Sequence, residues 1–205
     1  MRRIRVETKI ETGILEKSVL SKSECEEFIE IAKKYDLETK NDDVDDKPEL
    51  QLDIISDDGV IEELWEKCKP IYLNKLKPIL ASTPWIEPDQ RIYYVFLRKY
   101  DTAGRTHIPM HTDEGYLTMS FLLSDTKDFE GGEIYIFDTK SSDEIETWSD
   151  ADYDSDEVRE KFVNSHPNLP ILDYQQGYLA VYTGGKIYHG TLPITSVERN
   201  ILSVF

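Results

Sequence analysis

From Gln90 to Phe205, apart from residues 138–170, the chain breaks into short segments with a period of two, and this pattern constrains the fold more than any other feature. QRIYYVFLRKY, YLTMSFLL, EIYIF, YLAVYT, KIYH and ERNILSVF follow one another, divided by AGR, EGG, QQG and TGG. Successive side chains of a strand point to opposite faces, so each segment reads as a strand, and the glycine-rich divisions read as turns. Many short strands with such turns predict a sandwich or jelly roll, whose small barrel mouth can hold one ligand.

Before Gln90 the period is helical. In ECEEFIEIAKKY, residues 24–35, Cys25, Phe28, Ile29 and Ala32 share a face, and Ser23 with Glu26 forms a capping-box signature. A second helix is expected from about Val60 to Leu80, with Ile61, Leu64, Trp65, Cys68, Ile71, Tyr72, Leu76 and Ile79 on one side and a kink at Pro70. NDDVDDKPE, residues 41–49, reads as a solvated acidic loop, and QLDII after it as a short strand. The expected class is therefore mainly β with N-terminal helices. One domain spans 1–205, with 1–88 as helical support and 89–205 as a jelly-roll core interrupted by an acidic insertion at 138–170.

Within that insertion Asp150, Asp152, Asp154 and Asp156 alternate as in a calcium loop, but Ser155 and Lys161 stand where that loop requires glycine and glutamate. A surface insertion with a short helix near 156–164, acting as a lid or docking element, is the expectation.

The formal charge of −17 disfavours phosphate backbones and anionic lipid, so nucleic acid and membrane are excluded as partners and basic proteins or peptides are favoured. The start MRRIRVETKIETG lacks the apolar run of a secretory signal, and no window approaches a membrane span, which predicts a cytoplasmic or nuclear protein. Cys25 and Cys68 fall on the apolar stripes of the two helices and read as small buried hydrophobes.

HTDEGYLTMSFLL, residues 111–123, places His111 and Asp113 two apart, hence on one face if the strand starts there. With four histidines and 41 acidic residues in the chain, about one such pair arises by chance, so its company must decide. His107 has a helical spacing to His111, but Pro109 intervenes; His166 precedes Pro167 and reads as a loop residue. His189 ends KIYH, a distant β segment that a closed barrel can bring to the first pair. His111, Asp113 and His189 would then form a two-histidine, one-carboxylate facial triad, which leaves three positions of an octahedral Fe(II) open. Arg199 on the last strand can clamp a carboxylate bidentately, and the hydroxyls of Tyr100 and Thr118 can assist.

The run Y-x10-H-x-D-x4-T, then EGGE at 130–133, QQGYLAVYTGG, and HGTLPI followed by Arg199 resembles the Fe(II)/2-oxoglutarate dioxygenases of the prolyl 4-hydroxylase and procollagen lysyl hydroxylase superfamily. The resemblance implies a double-stranded β-helix core, with His111, Asp113 and His189 as iron ligands. It implies Arg199 and Tyr100 as partners of the distal 2-oxoglutarate carboxylate, with Thr118 as a further contact. It also implies O2 as oxidant, ascorbate as an optional reductant, and hydroxylation of a prolyl or lysyl side chain in a protein or peptide, with succinate and CO2 released. Leu122 stands where some prolyl hydroxylases carry tyrosine, and the chain ends in SVF, which is more similar to the lysyl branch. Two other classes use the same residues differently: a cupin-type small-molecule metalloenzyme without 2-oxoglutarate, and a noncatalytic jelly-roll interaction module.

Overall fold

The computed structural model describes residues 14–35, 37–87, 90–137, 142–149, 155–167, 169–172 and 175–205. Among the described residues there are ten strands: β1 (Ile14–Ser18), β2 (Glu38–Asn41), β3 (Pro48–Ser56), β4 (Gly59–Val60), β5 (Val95–Asp101), β6 (Leu117–Leu122), β7 (Ile134–Phe137), β8 (Tyr178–Thr183), β9 (Tyr188–Thr191) and β10 (Glu198–Val204). The helices are α1 (Lys22–Ala32), α2 (Glu62–Ile71), α3 (Lys77–Ala81), α4 (Ser142–Ser149) and α5 (Asp156–Ser165). The large sheet runs β1-β8-β6-β10-β5-β3-β2, with β4 beside β3. A small sheet pairs β7 with β9, extended by bridges from His111 to His189 and from Tyr135 to Ile171.

Antiparallel register fixes what each face of the large sheet carries. Leu202 lies opposite Leu97 and Phe121, and Met119 opposite Val181; these residues pack with Cys25 and Phe28 of α1 and with Leu64 and Cys68 of α2. Arg199 lies opposite Tyr100, Thr118 opposite Tyr182, and Ile201 opposite Leu122, so these project from the other face. That inner face packs on Ile134 and Ile136 of β7, while the alternate residues Tyr135 and Phe137 pack outward against Trp148 of α4 and Phe162 of α5. Helices, large sheet, small sheet and helices thus form successive layers.

Several expectations change. Residues 1–88 are not helical support alone, since β1–β4 join the large sheet, β1 pairing with β8 and β3 with β5. The cap of α1 is Ser21, not Ser23: Ser21 is extended, its hydroxyl accepts from Glu24 N–H, and the Glu24 carboxylate reaches back to the Ser21 N–H. The second helix does not simply kink. Pro70 and Pro78 each remove a backbone donor, and between them Tyr72–Leu76 widens into a π-helical turn before α3.

The 41–49 loop is not simply solvated. Asp42 and Glu49 are buried against Arg98 at 3.0 and 2.7 Å, and Arg105 pairs with Asp45 at 2.8 Å. Burial, then Asp42, pushes the Glu49 carboxyl up to about 8.

In the acidic insertion, α5 begins at Asp156, while Asp150, Asp152 and Asp154 lie outside the described residues. Its described helices are a packing layer on the outer face of the small sheet, with Trp148 and Phe162 buried, rather than a lid over the space between the sheets.

One close approach binds the fold to the site. A Cβ on Gly184 would come within 1.8 Å of the Gly115 carbonyl oxygen, so the turn after β8 lies directly against the loop that carries Asp113. Gly184→Ala is expected to destabilise by about 1–3 kcal/mol through overpacking, measured by urea denaturation, and to displace that loop.

Candidate metal centre

His111 and His189 are directly opposed in an antiparallel bridge, and each backbone N–H donates to the other's carbonyl at 2.9 Å. Their rings are held in one orientation by the same device. His111 Nδ1 lies 2.8 Å from the Pro109 carbonyl and His189 Nδ1 lies 3.0 Å from the Ile187 carbonyl. A carbonyl only accepts, so Nδ1 carries the proton in each ring and Nε2 keeps its lone pair for a metal. The Tyr182 ring, centred 4.4 Å from that of His189, packs on the second imidazole.

Asp113 lies in the loop beyond His111 rather than beside it on a strand. The loop nevertheless turns its carboxylate between the rings: Oδ1 is 3.3 Å from His111 Nε2, and Oδ2 is 3.5 Å from His189 Nε2. All three donor atoms lie within 4.8 Å of one another, and among the described residues they form the one such cluster of histidine, cysteine and carboxylate groups. With ligand bonds near ~2.1 Å, neighbouring donors of an octahedral ion sit about 3 Å apart, so two imidazoles and a carboxylate at these separations suit one divalent ion.

Protonation favours the ligating forms. Burial pushes the Asp113 carboxyl up, but the adjoining histidines and the Thr118 hydroxyl outweigh it and hold it below the usual carboxylate range. Burial, then the neighbouring His111, lowers His189 to about 4. A histidine depressed in the folded state contributes stability above its unfolded value near 6.5 that is lost as pH falls towards 4, on the order of 3 kcal/mol for such a shift. The metal-free protein is therefore expected to lose more stability than a His189→Gln variant between these values, as read by denaturant titrations at each pH.

Thr118 has a different place from the one expected. Its hydroxyl donates to Asp113 Oδ2, because β6 starts just beyond the loop and brings the side chain back to the carboxylate. Thr118→Val is expected to weaken metal binding by about 10–100-fold, measured by competition with a chelating dye.

Arg199 and Tyr100 face one another across β10 and β5, both 1% exposed, with the guanidinium carbon 5.2 Å from the ring centre. Gly132, at φ +70°, closes over the arginine: a Cβ there would meet Ile194 Cγ2 at 2.7 Å and Arg199 Cδ at 3.0 Å. The sequence signal for this contact is the EGGE turn. Arg199, Tyr100 and Thr118 therefore share the inner face of the large sheet. His107 and His166 stay apart from the triad; His166 Nε2 lies 3.0 Å from Glu144 in the outer layer.

Two features escape a sequence reading. Tyr182 packs against His189, detectable only as an inward position of YLAVYT once the register is known. A cleft of about 850 Å³ opens onto His111 and Asp113 and is walled by the 41–49 loop, β3 and the Tyr93–Phe96 segment.

No protein-family model matches the sequence, and no curated protein matches it. In fold the chain is similar to an oxidoreductase of the 2OG-Fe(II) oxygenase family from Burkholderia pseudomallei, at 13% identity over 94% of this chain and 84% of that one, with a TM-score of 0.62. It is similar to HygX from Streptomyces hygroscopicus, whose structure has nickel and 2-oxoglutarate bound, at 15% identity over 94% and 82% of the chains and a TM-score of 0.62. A prolyl-4-hydroxylase from Pseudomonas putida matches at 11% identity over 94% and 91%, with a TM-score of 0.58. At these identities the likeness is one of fold.

Proposed function

We propose that the chain is an Fe(II)- and 2-oxoglutarate-dependent dioxygenase that hydroxylates a prolyl or lysyl side chain in a protein or peptide. The observation that carries this reading is the convergence of two Nε2 atoms and one carboxylate, with their tautomers and charge already set, on a mainly β fold similar to that of 2OG-Fe(II) oxygenases. The two-sheet core is then a double-stranded β-helix. When bound, the iron and co-substrate supply the oxidation: O2 and 2-oxoglutarate yield succinate, CO2 and one oxygen inserted into a substrate C–H bond.

The residues supply the setting. His111, Asp113 and His189 would hold Fe(II) through two imidazole nitrogens and one carboxylate, a donor set that suits that ion. Thr118 fixes the Asp113 carboxylate, and the carbonyls of Pro109 and Ile187 fix the imidazoles. Arg199 receives the distal carboxylate of 2-oxoglutarate by its planar fork, with Tyr100 as second donor. Gly132 and the apolar side chains Ile194 and Ile201 keep water from that ion pair, which strengthens it.

An anaerobic absorbance titration with Fe(II) and then 2-oxoglutarate tests the reading through the weak visible charge-transfer band of a chelated 2-oxo acid. The band is expected. Iron binding without it would move the assignment to a metalloenzyme that does not use 2-oxoglutarate, and failure to bind iron would move it to an interaction module.

A further inference from the structure

The cleft beside the triad has an aromatic wall of Tyr93, Tyr94, Phe96 and Phe205. The ring of Phe205 lies 6.5, 6.1 and 5.7 Å from those of Tyr93, Tyr94 and Phe96. One of these rings already carries one of the chain's own cations, the Arg98 guanidinium carbon lying 4.8 Å from the Phe96 ring centre, while Lys40 Nζ holds Tyr94 by donating to its hydroxyl at 2.6 Å. Aromatic faces are negative and attract ammonium and guanidinium groups, so the wall displays in its own packing the class of group it accommodates. Tyr93 is different. It is 54% exposed, and its hydroxyl would lie 3.0 Å from a Cβ on Gly115, which puts the ring at the entrance beside Asp113.

The charge of the cleft points the same way. Nine acidic side chains line it against three lysines and arginines, and Glu49 among the nine is pushed up to about 8 by burial and Asp42. Lys40 is paired with Asp53 at 3.0 Å, and Arg98 with Asp42 and Glu49 at 3.0 and 2.7 Å, so these two cations are already engaged. Asp43, Asp57 and Asp58 make no ion pair among the described residues, and they face the cleft from the 41–49 loop and the β3–β4 turn. A concave surface with this excess concentrates cations and repels carboxylates and phosphates.

We propose that the cleft receives the substrate through an organic cation, the alkylammonium or guanidinium of a basic peptide side chain, seated against Tyr93 in the field of Asp43, Asp57 and Asp58. The inference deepens the dioxygenase reading by giving its substrate class, and it rests on that reading for the reaction alone. Arg98 on Phe96 is the internal counterpart of the guest, and Lys40 fixes Tyr94 through its hydroxyl, while the Tyr93 part of the wall stays open.

The test is fluorescence anisotropy with the Fe(II)-loaded full chain and three labelled peptides: one of Lys-Pro-Gly repeats, the same peptide with its lysines acetylated, and a Glu-Pro-Gly counterpart. The lysine peptide is expected to bind at least about tenfold more tightly than the acetylated one, with the difference shrinking as salt is raised. A triple variant, Asp43→Asn with Asp57→Asn and Asp58→Asn, and a separate Tyr93→Leu variant are each expected to weaken the lysine peptide by about 3–10-fold and to leave the acetylated peptide unchanged.

Equal binding of the three peptides, or variants without effect on the lysine peptide, would overturn the proposal. Spermidine is the control for a small free polyamine: binding of spermidine with none of the lysine peptide would overturn the peptide assignment. The charge-transfer titration is run on the same samples. Absence of its band with the peptide ranking intact sinks the dioxygenase reading and leaves the cation subsite standing; a normal band with no ranking does the reverse.

Discussion

Asp113→Ala is expected to eliminate turnover and to lower Fe(II) affinity by more than about a hundredfold. Loss of a group that only orients a ligand costs about 10–100-fold, and loss of the ligand itself exceeds that. Asp113 is also the anionic member of the triad: its carboxylate lies 3.3 and 3.5 Å from the two Nε2 atoms, and its carboxyl is held below the usual range, which keeps it ionised. Without it, two neutral imidazoles face a divalent ion with no charge to offset the ion's lost hydration. The fold should survive, because Asp113 lies in a loop and its partners are the ligands themselves and Thr118. The checks are dye competition for metal affinity and circular dichroism for folding. A folded variant that still binds Fe(II) within a few-fold of the parent would remove Asp113 from the site.

The comparison with Thr118→Val gives this experiment its resolution. Both changes act on one carboxylate, but valine leaves the charge in place and removes only the hydroxyl that fixes it. A graded loss, moderate for Thr118→Val and near complete for Asp113→Ala, separates an orienting group from a ligand. Equal losses would mean that the loop had collapsed in both.

What could be read from the sequence follows the range of the interactions involved. β5, β6, β8 and β10 were visible as short apolar, aromatic-rich runs between turn signals, because each has one face between the sheets and the other on the helices and is buried on both. His111 and Asp113 were visible as a local pair, although the geometry that joins them comes from a loop and not from one face of a strand. His189 stood out only by setting the other histidines aside and by resemblance, since its partner lies across a bridge that no local pattern encodes.

Burial of Asp42 and Glu49 was hidden for the same reason. NDDVDDKPE has the composition of a solvated loop, and its counter-charges Arg98 and Arg105 arrive from β5 and the turn after it. The open ring of Tyr93 and the packing of Tyr182 on His189 likewise emerge only once strands distant in the chain are in register.

Arg199→Met is expected to weaken 2-oxoglutarate by at least about 30-fold while Fe(II) affinity stays near that of the parent. The guanidinium is buried on the inner sheet face and is not among the metal-ligating groups, so under the proposed reading its removal acts on the co-substrate carboxylate and leaves the ion alone. Breaking one partner of a buried, hydrogen-bonded charge pair costs about 2–5 kcal/mol, which corresponds to a 30-fold loss at its lower end. Methionine keeps most of the apolar volume against Gly132 and Ile194, so the loss reports charge and fork geometry rather than a cavity. Arg199→Lys should recover a part, because an ammonium keeps the charge and loses the bidentate fit. Tyr100→Phe should cost less, about 3–10-fold, as one neutral hydrogen bond does.

The decisive control is a 2-oxo acid without a distal carboxylate. The parent protein should strongly prefer 2-oxoglutarate to 2-oxobutyrate, and Arg199→Met should erase that preference while the charge-transfer band with either acid remains attainable at high concentration. If the preference persists in the variant, the distal carboxylate lies elsewhere and the inner face of β10 has another role. If Fe(II) affinity falls together with that for 2-oxoglutarate, Arg199 supports the fold around the triad instead of receiving the co-substrate.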